Sequence, residues 1–360
     1  MKILIGVSHP KQVHMFKNLI YELSKKGHEC HVLEVEKEFT SKLLNFFNIK
    51  SYKIGKNQKN ILKKIFQIFV LTLRTMKISV KIKPDIFIGQ ALPHFAYTSF
   101  LLRRPYIIFE DTETSIYLQK IVNPFANTII TPDSFRNNLG DKQVRIRGGY
   151  ELAYLRPNYF KPIDDIYHYL GINKGEKYII LRFVSWKANH DIGHKGISDE
   201  NKIKCVKSFF KYAKVFISSE APLPVELEPF RFSISPELMH NAIYHSSLVY
   251  GESGTMTAEA AYLGKPSIFI NDKGLGYTSE LEKKFSLVFN YTENEGDQIN
   301  SINKGMDILK NIDKYGFSNN HKKLLTETID VNAFMVWFIV NYPESHIIMK
   351  NNPQYQYRFK

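Results

Sequence analysis

The sequence predicts an α/β protein of two doubly wound parallel sheets, and three observations carry that expectation. At 360 residues the chain is too long for one ordinary domain and suits two. Short β-branched or aromatic runs alternate with amphipathic stretches from end to end. The runs are apolar almost throughout, as strands are when helices cover both faces of a parallel sheet. A hydrophobic share of 44% is enough for two cores, and neither an internal repeat nor a low-complexity segment interrupts the pattern.

In the first half, KILIGV, ECHVLEV, SYKIG, DIFIGQ, PYIIFE, NTIITP and VRIRG read as strands. VHMFKNLIYELSKKG reads as the helix after the first strand, with apolar residues at helical spacing and Gly27 as its stop. YELAYLRPNYFKPIDD, with two prolines, reads as a connection. A second series follows: KYIILRFVSW, KVFISSE, RFSIS, SLVYGES, KPSIFIND and SLVFNY. The expected domains are residues 1–155 and 170–325, facing a cleft; the closing stretch HKKLLTETIDVNAFMVWFIVNY has helical periodicity, and a C-terminal helix is expected over 326–360.

Two cysteines far apart, Cys30 and Cys205, fit a reducing compartment and leave no disulfide framework. The N-terminus reads as a buried first strand, and the uncharged apolar stretch of residues 65–73 falls far short of a membrane span. A cytoplasmic protein is expected. The net charge of +14 is unevenly placed: eleven Lys and Arg residues lie between Glu38 and Asp85 with no acid among them. Such a field attracts anions. The pattern of 59–77 is helical, with Asn60, Lys63, Lys64, Gln67 and Arg74 on one arc and apolar residues over the rest. A solvated lysine face on a packed helix is one reading; residues 56–83 lying on the anionic lipid of an inner membrane face is the other. No recognition-helix, RNA-binding-strand or finger pattern accompanies the charge, so nucleic acid is not an expected partner.

The most informative stretch runs from Gly251 to Pro266. A strand, LVYG, enters the small-residue turn Ser253-Gly254, and a helix-forming stretch follows from Thr255. Such a turn presents unpaired N–H groups and the positive dipole end to a diphosphate. Ser253 and Thr255 can cap the helix or donate to phosphate oxygens, and Glu259, a turn further in, can accept from both hydroxyls of a ribose. An ordinary capped helix is the plainer alternative.

The run Ser253-Gly254, Glu259-Ala260, Leu263-Gly264-Lys265-Pro266 resembles the nucleotide-binding stretch of the UDP-N-acetylglucosamine 2-epimerases, and is similar to that of MurG-type glycosyltransferases with one residue more spacing. The resemblance implies a diphosphate gripped by the serine-glycine turn, a ribose gripped by Glu259, and UDP as the nucleotide. Nearly the whole chain is also similar to a bacterial and archaeal domain-of-unknown-function family, DUF354, grouped with GT-B enzymes. SHPKQVHMFKNL, FEDTE, GYELAYL, RFVSWKANHDIG, FISSE and IDVNAFMVWFIVNYPES carry that likeness. It implies a GT-B fold whose tail crosses back onto the first domain.

The epimerase pattern is incomplete. Where it has an aspartate after the glycine of a strand end, this chain reads Gln90-Ala91. FEDTET supplies Glu110, Asp111 and Glu113, but a further glutamate has no counterpart around Val122-Asn123-Pro124. The histidine-arginine-glutamate motif of the second domain is replaced by RFVSWKANHDIGH. Glycosyl transfer fits better, since it needs only a cation or helix end for the leaving group and one general base.

Arg182 and Lys187 are candidates for leaving-group charge, with a strand-end salt bridge as the alternative. Ser185, His190 and Ser219 join them as donor-binding candidates. His9 and His14 are candidate bases after the first strand, or a cap and a packing residue. Asp111 and Glu113 compete for that role, or cap the stretch TETSIYLQK. His190 and His194 are spaced for a shared helix face, but Gly193 argues for a loop and no metal is expected. The expected protein is a metal-independent, nucleotide-sugar-dependent glycosyltransferase with no further cofactor and a glycan or lipid-linked acceptor. A UDP-sugar epimerase or hydrolase, a sugar-nucleotide sensor without catalysis, and a basic nucleic-acid- or membrane-binding shell are the alternatives.

Overall fold

A computed structural model gives the structure and describes residues 1–37, 39–56, 61–185 and 195–360, with the backbone alone for 61–65. The chain opens with β1 (Lys2–Val7), α1 (Pro10–Lys25), β2 (Glu29–Glu36), α2 (Thr40–Phe46), β3 (Ser51–Lys56), α3 (Ile61–Ile82), β4 (Ile86–Gly89), α4 (Pro93–Leu101), β5 (Tyr106–Phe109), α5 (Ile116–Val122), β6 (Thr128–Pro132) and β7 (Gln143–Ile146). It continues through α6 (Leu152–Leu155), α7 (Ile166–Tyr169), β8 (Tyr178–Phe183), α8 (Asp199–Phe209), β9 (Lys214–Ser219), α9 (Met239–His245), β10 (Leu248–Gly251), α10 (Gly254–Tyr262), β11 (Ser267–Ile270), α11 (Gly276–Phe285), β12 (Val288–Tyr291), α12 (Glu295–Asn311) and α13 (Phe317–Glu327). It closes with α14 (Val331–Val340) and α15 (Glu344–Asn351). Two compact units result: Met1–Tyr154 with Thr328–Lys360, and Leu155–Glu327.

The first unit holds a seven-stranded parallel sheet in the order β3-β2-β1-β4-β5-β6-β7. Its central strands are buried along their length, which is why they read as unbroken apolar runs. The order reverses between β1 and β4, making a switch point where side chains from two strand ends meet. α1 starts there, with Pro10 in its first turn and His9 as the capping residue. The tail belongs to this unit. The Ile329 N–H donates to the Arg147 carbonyl (3.0 Å), Gln356 accepts from the Arg147 N–H (2.6 Å), and α14 lies against α1. Thr328–Asp330 breaks the tail's helical pattern in two, and Asp330 caps α14 by accepting from the Ala333 N–H.

The second unit holds a five-stranded parallel sheet in the order β12-β11-β10-β8-β9, with its switch point between β8 and β10. Gly251 ends β10 at φ +147°, and a Cβ there would stand 2.0 Å from the Arg182 carbonyl oxygen. Only glycine lets the two strands close at that point. RFSIS does not form the expected strand. It contributes a single parallel bridge, Ile217 to Arg231, because Arg231 directs its guanidinium to the Ser219 and Ala221 carbonyls and to Glu228 instead of extending a ladder.

Candidate functional site

In both units the chemistry-bearing side chains gather at the carboxyl ends of the strands. In the first unit a chain of hydrogen bonds crosses the switch point. Gln12 accepts from the N–H groups of Ser8 (2.6 Å) and His9 (3.1 Å), and its amide donates to the Gln90 side chain (2.6 Å). Gln90 donates in turn to Asp111 (3.2 Å). The Lys11 ammonium lies 2.6 Å from Asp111 Oδ2 and 2.8 Å from Glu151 Oε1, and all three side chains are nearly buried. One cation is thus shared by two buried carboxylates, an arrangement sustained by mutual Coulomb attraction in place of water.

Glu110 adds a third carboxyl. Burial and the neighbouring Asp111 charge push it up to about 8, so it carries a proton at neutral pH. Burial likewise raises Glu151, while Lys11 pulls it back. Carboxyls raised by burial at strand ends are raw material for acid–base chemistry.

His9 is placed among them but is neutral. Burial, then Lys37 and Lys11, push it down to about 3, and its Nδ1 accepts from the Lys11 N–H (3.2 Å). That bond fixes the proton on Nε2, so His9 can donate to a substrate oxygen rather than take a proton from one. His14 is buried between the rings of Phe47 and Tyr154, at 5.6 and 5.5 Å. Glu113 points to the loop after β6: it accepts from the Arg136 N–H (2.6 Å) and lies 3.8 Å from the Arg136 guanidinium. Of the four residues singled out for catalysis, Asp111 is the one held by the lysine, and Glu113 is occupied in tying down a loop.

In the second unit Ser253 caps α10, its hydroxyl accepting from the Met256 N–H (3.4 Å). Gly254 and the half-buried Thr255 form the first turn, where N–H groups have no acceptor within the helix. A Cβ at Gly254 would fall 2.6 Å from both Leu275 Cδ1 and the Tyr277 hydroxyl, so a larger residue there would have to displace these two side-chain ends at the start of α11. Glu259 is buried one turn into α10, 2.9 Å from His240 Nε2.

Arg182 ends β8 with its charge already answered. One arm donates to the Ser218 hydroxyl (2.8 Å) and the other pairs with Glu220, which also accepts from Ser185 (3.3 Å). Ser219 donates to the Ala221 carbonyl (2.8 Å). Glu252 crosses the switch point by accepting from the N–H of Val184 (2.8 Å) and of Ile197 (2.7 Å). Glu293 accepts from the N–H groups of Lys195 (2.7 Å) and Gly196 (2.8 Å). Lys187, His190 and His194 lie outside the described residues.

Reading the sequence missed Lys11, Gln12, Glu151, Glu220, His240 and Glu252 as members of these clusters. Glu151 carried a usable signal: it follows the strand QVRI and the turn Gly148-Gly149, and so belongs to a strand end like Asp111. His240 carried none, since it lies on a helix 19 residues before its partner.

Comparisons with known proteins bear on this arrangement. An uncharacterized protein of Methanocaldococcus jannaschii is 25% identical over 277 residues, 74% of this chain and 80% of the relative. The UDP-GlcNAc 2-epimerase of Neisseria meningitidis, solved with UDP-GlcNAc bound, superposes with a TM-score of 0.67 at 14% identity, covering 90% of this chain and 98% of that one. The glycosyltransferase SsfS6 of Streptomyces sp. SF2575 does so with a TM-score of 0.59 at 12% identity, covering 95% and 100%. At such identities the likeness is one of fold, and the fold is GT-B. A family model described as a protein of unknown function matches residues 1–343, and the chain belongs to that family, DUF354.

Proposed function

We propose that this protein is a metal-independent, nucleotide-sugar-dependent glycosyltransferase, with UDP as the nucleotide and a glycan or lipid-linked acceptor, serving surface polysaccharide or glycolipid synthesis. The observation that carries the reading is the capped N-terminus of α10 at a switch point, with Glu259 one turn inside it. Free N–H groups and the helix dipole suit a diphosphate, and a carboxylate held by His240 suits the paired hydroxyls of a ribose. The fold shared with a glycosyltransferase and with an epimerase that binds UDP-GlcNAc supports a sugar nucleotide as ligand. Asp111 is the proposed base and His9 a donor to the sugar or acceptor; Arg182 serves in this reading by holding Glu220 and the end of β8.

A second reading, epimerisation or hydrolysis of the sugar nucleotide, is favoured by the protonated Glu110 beside Asp111, which shares Lys11 with Glu151. Three carboxyls exceed what a single acceptor deprotonation needs.

Calorimetric titration with UDP, GDP and CMP, without added metal, tests the donor site. UDP is expected to bind, and Glu259→Gln to weaken it at least about tenfold, since the variant keeps the shape but loses a charge-assisted acceptor. Absence of binding by any of the three sinks the assignment. UDP-GlcNAc incubated alone in heavy water then separates the readings: deuterium at the sugar C2 assigns the second, and UDP release only with an acceptor present assigns the first.

A further inference from the structure

One side of the seven-stranded sheet carries α3, α4 and α5, since the crossovers from β3 to β4, β5 and β6 all advance across the sheet in one direction and share one hand. α3 packs on α4, and α4 on α5. The rotation of α3 is set by a buried stripe of Leu71, Thr75, Ser79 and Ile82. On the opposite side, at the same helical spacing, stand Phe66, Phe69, Leu73, Lys77 and Val80, with Phe66 69% and Phe69 62% exposed. The buried stripe mixes two hydroxyls with two aliphatic residues, while two phenyl rings and two further aliphatic residues face outward.

The neighbouring helices repeat the pattern. Phe100 and Leu101 close α4, and Ile116, Tyr117 and Ile121 stand out from α5, with Tyr117 85% exposed. Monomeric soluble proteins rarely leave so many large apolar side chains on one face. The charge of that face is mostly of one sign. α3, α4 and α5 contain no Asp or Glu, while exposed Arg74, Lys77, Lys81, Arg103, Arg104 and Lys120 lie on or between them. The one exposed acid between α3 and α4 among the described residues, Asp85, stands just before β4 and accepts from the Lys2 N–H.

We propose that the outward face of α3, α4 and α5 docks on an anionic lipid bilayer. Apolar side chains flanked by cations, on helices that carry no acid, match acyl chains beneath phosphate headgroups. A nucleic acid would use the cations and leave the aliphatic residues in water. A second copy of the chain, in a symmetric contact, would set this cationic face against itself. No helix among the described residues is long and apolar enough to cross a membrane, so contact through a face is the mode the geometry allows.

The test is co-sedimentation of the full chain with phosphatidylcholine vesicles with and without phosphatidylglycerol. Partition is expected to be at least about tenfold stronger with phosphatidylglycerol. Replacing the outward residues together, Phe66→Ser with Phe69→Ser and Leu73→Ser, is expected to lower it at least about tenfold, with melting and UDP binding unchanged. The charge variant, Lys77→Ser with Lys81→Ser, Arg103→Ser and Arg104→Ser, is expected to erase the preference for phosphatidylglycerol. Equal partition of all three proteins, or no vesicle binding by the wild type, overturns the proposal. So does a wild-type dimer in light scattering that the apolar variant converts to monomer without affecting vesicle binding. The inference is independent of the nucleotide reading, because UDP affinity is read separately in the same preparations.

Discussion

At the switch point of the first unit, Gln12 reaches across to Gln90, Asp111 and Glu151 share one lysine, and the protonated Glu110 stands next to Asp111. At the switch point of the second unit, Glu252 reaches across to backbone N–H groups, and three further carboxylates among the described residues are likewise engaged: Glu220 by Arg182, Glu259 by His240, Glu293 by two amides. The same topological position has been furnished in opposite ways. The first edge holds groups whose protonation can change; the second holds fixed dipoles and charges that are already matched. Proton transfer requires the former and recognition of a diphosphate is served by the latter, because a preorganised dipole does not have to rearrange when the ligand arrives.

The contrast is most exposed to test at Lys11. Lys11→Met leaves two buried carboxylates without their cation, and a loss of about 3–5 kcal/mol in urea unfolding at neutral pH is expected, recovering as the pH falls and the carboxylates take up protons. Unchanged stability would mean that the cluster is hydrated and that the two edges differ less than they look.

Glu110 gives an effect that is spread over a pH range and has a definite sign. Its folded value of about 8 lies above the ordinary 4.5, so the folded state keeps a proton that the unfolded state has released. Relative to Glu110→Gln, the wild type should lose stability as the pH rises between those two values, by at most about 1.4 kcal/mol per pH unit, and run level outside them. Chemical unfolding of both proteins across that range reads the difference directly, and parallel curves would remove the protonated carboxyl from the mechanism.

The smallest change is expected at Arg182, which is partly exposed and paired with Glu220. Arg182→Gln should cost about 0–1 kcal/mol in stability and leave UDP affinity nearly unchanged. A tenfold loss of affinity would instead give the second edge a working cation of its own.

How much of this was legible in the sequence differs from feature to feature. The sheets were, because a parallel strand covered on both faces has no polar positions to blur its run; KILIGV, DIFIGQ and PYIIFE mark β1, β4 and β5. RFSIS misled because alternation alone does not say whether a partner strand is within reach. At the sites, Asp111 and Glu259 were legible as acids placed at a strand end and a helix start. Glu113 looked the same from the sequence and differs only in what it meets, Arg136, which arrives from another loop. The outward face of α3 was the least legible. Periodicity finds the arcs of a helix, but which arc turns inward is decided by what packs against it, and here the arc of Leu71, Thr75, Ser79 and Ile82 is buried while that of Phe66 and Phe69 is exposed.

The first unit is written in two pieces, Met1–Tyr154 and Thr328–Lys360, with the second unit between them. During synthesis that spacing becomes a waiting time. At a translation rate of about 5–20 residues per second, the intervening residues take about 9–35 s to appear. Until then α1 lacks α14, a helix buried over most of its length, and the Arg147 N–H and carbonyl lack Gln356 and Ile329. The later-made unit can therefore finish folding before the earlier one, and the newborn N-terminal segment is the part of this chain that a ribosome-bound chaperone would find open the longest.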